Sequence, residues 1–212
     1  MKTDNKHLDS KLELRRYFLR NISPPLHVLD CCAGDGVVWS KLRSEFSVSS
    51  YMGCDVKGGT KGMTVKVDSI RVLALPGWKH NIVDIDAYGS PWPHFAALLS
   101  TCRHSVVVFL TWGLVEFNGY HGGGVDAAAA VFMGLGKLAM PKGLRGRLAE
   151  HVFQHALTAA KRHGFKIGEV LEAFPQSNAR YIGIELIFPA PEKTRKPRKA
   201  ATPVPVPPSA PK

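Results

Sequence analysis

Apolar positions along this chain come in short blocks whose period changes repeatedly. Leu8, Leu12, Leu14, Tyr17, Phe18 and Leu19 recur at roughly helical intervals among charges, predicting an amphipathic helix over residues 1–20. Ser23-Pro24-Pro25 ends it, since proline carries no amide to continue a helix. Short apolar runs then predict strands at 26–29, 51–54, 64–67 and 81–85, and a β-branched fifth at 106–110. The first four run into Asp30, Asp55, Asp68 and Asp86. Helical patterns fit the intervening 37–46, 70–75 and 93–102. Further helices are predicted at 126–140 and 147–163, the second with Leu148, Val152, Ala156, Leu157 and Ala160 on one stripe. Two final strands, 165–171 and 181–188, flank PQSNAR and read as an antiparallel pair.

Strands alternating with helices predict an α/β fold, a mostly parallel sheet covered on both faces. The 212 residues suit one such domain with short additions. We place an N-terminal helix and linker at 1–25, the sheet domain at 26–190, and a tail at 191–212. The tail is Lys/Arg-rich and then reads TPVPVPPSAP, a composition that builds no core. It carries six basic residues and one acidic residue of a chain whose net charge is +11. That balance points to a polyanionic partner, bound through phosphate contacts and counterion release. Lys142, Arg145, Arg147, Lys161, Arg162 and Lys166 form a second basic group, expected either to border an active-site cleft or to be a solvated helix face. No apolar run is long enough to span a membrane, and no apolar signal core opens the chain. Four cysteines without a CxxC pair suit a reducing interior, so a cytoplasmic location is expected. His151 and His155 lack the Glu of an HExxH arrangement, and no metal is expected.

The chemistry concentrates at the strand ends. Asp30 precedes Gly34 and Gly36, and glycines there allow a tight turn and close approach to a ligand. Asp55 is placed to accept both hydroxyls of a ribose. Asp68 either meets an adenine amine or caps the helix that starts at Ser69. Three carboxylates on one sheet edge match a phosphate-rich cofactor poorly. They suit a nucleoside carrying a zwitterionic amino acid and a sulfonium.

VLDCCAGDG, with Asp30, Ala33, Gly34 and Gly36, resembles the first motif of class I S-adenosylmethionine-dependent methyltransferases. The resemblance implies a Rossmann-like, seven-stranded, mostly parallel sheet in the order 3-2-1-4-5-7-6. It also implies S-adenosylmethionine as cofactor, with Asp30, Ala33, Gly34, Gly36, Asp55 and Asp68 holding it. The fourth strand continues as DIDAYGSPWP, which resembles the D-x-D-P-[FY]-G-S-P signature of the tRNA guanine-26 N2-dimethyltransferase family. Asp86 matches the residue that holds the target amine, and Tyr88 the aromatic position. Ala87 departs from the usual proline.

The likeness covers about residues 26–188; the family's extra C-terminal domain has no counterpart in this sequence. It implies an N-methyltransferase acting on an exocyclic base amine, guanine in tRNA or other RNA before DNA. Asp86 and Tyr88 are the catalytic candidates; Pro91, Trp92, Trp112, Arg145 and Arg180 are the substrate-binding candidates. Two alternatives stand beside this: methylation of DNA, protein or small-molecule amines, and a non-catalytic nucleic-acid-binding protein on the same fold. The glycine-containing stretch 112–125 is read as either a lid or a plain surface loop, and Cys31 and Cys32 as packing residues. The sequence does not set the oligomeric state.

Overall fold

The computed structural model describes residues 7–59, 64–113, 127–134, 145–173 and 179–189. Helix α1 (Leu8–Asn21) precedes β1 (Leu26–Cys31), α2 (Val37–Glu45), β2 (Val48–Asp55) and β3 (Thr64–Lys66). Then come α3 (Ser69–Ala74), β4 (Ile82–Ile85), α4 (Trp92–Thr101), β5 (Val106–Gly113), α5 (Ala127–Phe132), α6 (Arg145–Arg162), β6 (Lys166–Ala173) and β7 (Ala179–Ile187). The seven strands form one sheet in the order β3-β2-β1-β4-β5-β7-β6. β1 through β5 pair in parallel, and β7 lies antiparallel between β5 and β6. This is the topology expected from the resemblance.

The central strands are apolar on both faces, and two cores result. One joins α3, α4, α5 and α6 to the sheet through Leu73, Phe95, Ala129 and Val152. The other joins α1 and α2 to the opposite face through Leu12, Phe18, Trp39 and Leu42. Phe18 packs edge-on against Phe109 of β5, with ring centroids 5.6 Å apart. Helix α1 is therefore part of the layered structure, covering β6 and β7 as well as meeting α2.

Several boundaries differ from the sequence reading. β2 starts at Val48, because Val48 and the residues after it pair along β1 despite the polar Ser49 and Ser50. β5 runs on through Trp112 and Gly113, which pair with Arg180 and Ala179. Those two residues leave the predicted 112–125 loop; the rest of it lies outside the described residues. The predicted helix at 126–140 is described only as α5 and the turn after it, to residue 134. Residues 190–212 also lie outside the described set.

Candidate active site

β1, β2, β3 and β4 all deliver an aspartate at or just beyond their carboxyl ends, and parallel pairing aligns those ends on one edge. Between β1 and α2 the backbone turns through Cys32 (φ 73°), Gly34 (φ 52°) and Gly36 (φ 68°). The left-handed conformation at Gly36 starts α2 directly, leaving its first amides without side-chain caps.

Asp55 holds this loop. Its Oδ2 accepts the Gly34 amide at 3.2 Å and its Oδ1 the Lys57 amide at 2.8 Å. The Thr64 hydroxyl donates to the Gly34 carbonyl at 3.1 Å. A Cβ on Gly59 would sit 2.7 Å from that same carbonyl oxygen, so only glycine fits there. Each Asp55 oxygen retains a second lone pair for a ligand hydroxyl. Asp68 takes the capping alternative: its Oδ1 accepts the Ile70 amide at 3.0 Å. Its other oxygen lies 4.0 Å from Arg71 Nε on the exposed surface.

Asp30 is buried and accepts the Tyr51 hydroxyl at 2.9 Å. It is the register partner of Asp84 on β4, so two carboxylates share one face of the sheet. Burial, then the charge of Asp84, pushes the Asp30 carboxyl well above its ordinary range, against the Tyr51 hydrogen bond and Arg15. Asp84 itself is sealed in. Arg15 Nε and Nη2 each donate to it at 2.6 Å, and Trp39 Nε1 donates at 2.7 Å. Lys11, one helical turn before Arg15, reaches both oxygens of Asp86 at 2.7 Å. Burial pushes Asp86 up, but the Lys11 and Arg15 charges outweigh it and hold the carboxyl below its ordinary value.

Sequence reasoning missed Lys11, Arg15 and Asp84, although a signal was present. Lys11 and Arg15 are spaced i,i+4, about 6 Å along a helix. Asp84 and Asp86 are spaced i,i+2, nearly the same distance along one face of a strand. Two cations and two carboxylates at matched spacing pair without strain.

The raised Asp30 carboxyl gives a testable sign. Below the unfolded pKa, both states hold the proton and nothing is lost. As pH rises, the unfolded chain ionises first, so the fold loses stability until pH passes the raised native pKa. Asp30→Asn keeps an acceptor for Tyr51 and removes that loss. Its melting temperature is therefore expected to exceed the native value by a margin that widens from pH 4 toward pH 8 (both roughly set by the carboxylate range). An equal margin at every pH would contradict the burial argument.

The other candidates are placed as follows. Tyr88 is 90% exposed at the edge of the site, in the loop that Gly89 turns with φ 99°. Ala87 is buried, and Pro91 caps α4. Trp92 and Trp112 are not open to a substrate as expected: both are fully buried. Their rings meet edge-on at 4.8 Å, and Trp92 stacks on Phe132 at 5.3 Å. The cause is register. Both indoles point into the core between the sheet and α4–α5, where large apolar area is worth most.

Arg180 is likewise committed. It is held by Glu172 at 2.6–2.9 Å, reaches Glu150 at 3.5 Å, and lies over the Trp112 and Phe153 rings. Arg145 opens α6, with its side chain outside the described set. Lys161, Arg162 and Lys166 do not border this edge. They lie where α6 ends and β6 begins, at the other end of the strands. Cys32 Sγ is 3.6 Å from His94 Nε2, but burial pushes its thiol up to about 12, so no thiolate nucleophile forms there.

No family model matches the sequence, and no curated protein does. Solved structures do match the fold. Trm1 from Pyrococcus horikoshii, solved with S-adenosyl-L-methionine, superposes with a TM-score of 0.62 at 15% identity, covering 88% of this chain and 56% of that one. This chain thus spans a little over half of that protein's length. A Lactococcus lactis protein named as a candidate hemolysin gives 0.55 at 11% identity, covering 84% and 85% of the two chains. The plantazolicin methyltransferase BamL, solved with SAH and a triazolic desmethylPZN analog, gives 0.52 at 12%, covering 88% of each. At such identities the likeness establishes the fold, that of class I methyltransferases, and leaves the chemistry to the residues.

Proposed function

We propose that this chain is an S-adenosylmethionine-dependent N-methyltransferase acting on an exocyclic amine of a nucleic-acid base, with guanine in RNA as first candidate. The observation that carries the reading is the edge itself. A glycine turn pinned by Asp55 lies beside Asp30, with Asp68 on one side and Asp86 closing the next strand. The donor set fits the cofactor. It offers carboxylates for hydroxyls and an ammonium, and uncapped helix amides, and among the described residues no cation cluster of the kind a pyrophosphate needs. The two solved relatives that carry S-adenosylmethionine or SAH on this fold support the same cofactor.

When bound, S-adenosylmethionine supplies a methyl group on a sulfonium. Asp55 would orient the nucleoside end and Asp30 the amino-acid end, while Asp68 is committed to capping α3 beside them. Asp86, kept ionised by Lys11, accepts an N–H of the acceptor amine, so that the nitrogen lone pair faces the methyl carbon. On methylation of the amine, Asp86 or water would take the proton that the nitrogen gives up. Tyr88, exposed beside Asp86, offers the aromatic face that the buried Trp92 does not.

The test is transfer of a tritiated methyl group into RNA, DNA and protein in parallel, followed by digestion of the labelled polymer to nucleosides. The expected product is label in an N-methylated guanosine. Asp86→Asn, which accepts through one oxygen only, is expected to lose roughly 100-fold in rate. Label confined to protein or small amines would replace the substrate assignment while leaving the cofactor intact.

A further inference from the structure

The parallel strands segregate charge by end. At their carboxyl ends stand the aspartates of the candidate site. At their entry ends the sequence is of the opposite sign. The segment entering β4 carries Lys79 and His80, that entering β5 carries Arg103 and His104, and the turn from α6 into β6 carries Lys161, Arg162, His163 and Lys166. None of the three contains an Asp or Glu. All five Lys and Arg residues are exposed.

This edge is also firmly built. Asn81 accepts the His27 amide at 2.8 Å and donates to the Pro25 carbonyl at 2.8 Å, tying the entries of β1 and β4. Ser105 accepts the Phe188 amide at 3.0 Å. Arg103 is fixed by the Cys102 and Ser100 carbonyls at 2.7 and 2.9 Å while its surface stays open. Nearby acids are engaged on the opposite face: Glu45 with Arg16, Glu169 with Tyr17, and Glu185 with the Glu169 amide.

Helices α3, α4 and α6 point their carboxyl ends here, each worth about half a negative charge. That leaves most of the five cations uncompensated. β7 also brings the chain to this edge at Ile187.

We propose that this strand-entry edge, formed around Lys79, Arg103, Lys161, Arg162 and Lys166, is a docking face for the phosphate backbone of RNA. The choice of RNA rests on the function proposed above; the polyanion affinity rests on the charge alone. Ile85 pairs with Leu110, so Asp86 lies about five strand residues beyond the Val106 entry, a separation of roughly 17 Å. The face therefore grips backbone remote from the nucleotide in the active site. It reads no sequence and strengthens binding only to chains long enough to reach both ends.

Fluorescence anisotropy of a labelled single-stranded RNA, across a salt series and without cofactor, tests this. Lys79→Glu/Lys161→Glu/Lys166→Glu is expected to weaken binding at least about tenfold, and to make log K against log salt shallower by about 2. Lys41→Glu/Lys66→Glu/Arg71→Glu carries the same net charge change elsewhere on the exposed surface and is expected to change affinity less than about threefold. Melting temperatures confirm that both fold, and Lys161→Gln/Lys166→Gln provides a milder variant of the first. Equal losses from both triple variants, or none from the first, would overturn the proposal. So would the same charge dependence on phosphatidylserine vesicles without RNA binding. RNA docking by a native chain that transfers no methyl group to any polymer would condemn the proposed function alone.

Discussion

Arg15→Ala is expected to cost about 3–5 kcal/mol of folding stability and lower the melting temperature by roughly 10 °C. Arg15 is 1% exposed and donates two charged hydrogen bonds to a carboxylate that is equally buried. Asp84 cannot escape to solvent, and Asp30 stands beside it on β1 with a carboxyl already pushed up by burial and by Asp84. Removing the guanidinium leaves Asp84 with the Trp39 indole as its remaining charge-stabilising donor. The packing of Arg15 against Phe109, at 5.1 Å, is lost as well. Arg15→Ala/Asp84→Asn is expected to recover a large part of the loss, because no ionised group is then left unpaired. Thermal unfolding by circular dichroism reads both variants. A single variant as stable as the native chain would contradict the claim that this buried pair needs both partners.

The second large effect is on ligand binding. Asp55→Ala is expected to weaken S-adenosylmethionine binding by at least about 100-fold, two charge-assisted hydrogen bonds being worth about 1.5–3 kcal/mol each. In the proposed function this carboxylate takes the ribose hydroxyls, and it also holds the Gly34 and Lys57 amides, so the variant is expected to lose ligand contacts and loop order together. Asp55→Asn keeps one acceptor and is expected to fall between. Since Asp55 is partly exposed, the fold itself changes little. Unchanged affinity in Asp55→Ala would remove the ribose from this strand end.

The sequence was readable where local pattern and topology agree. Strand-helix alternation and the antiparallel last pair are set by periodicity and chain length, and the strand order followed from the resemblance. Strand-end aspartates at 30, 55, 68 and 86 were likewise visible, because a break in an apolar run is a local event. What lay hidden is non-local. That Trp92 and Trp112 face the core depends on where α5 packs, which no spacing within VDIDAYGSPWP reveals. Arg180 is claimed by Glu172 only because β6 and β7 pair in this register. The Lys11–Asp86 and Arg15–Asp84 pairs join residues 75 and 69 positions apart. Their matched spacing is recognisable only once α1 is known to run antiparallel to β4.

The central claim, that the carboxylate edge holds S-adenosylmethionine, is tested most directly by titration calorimetry of the native chain with that ligand. The account predicts saturable one-to-one binding, with SAH competing for the same site. A folded protein that gives no heat at two temperatures, and no ligand-induced rise in melting temperature, would contradict it.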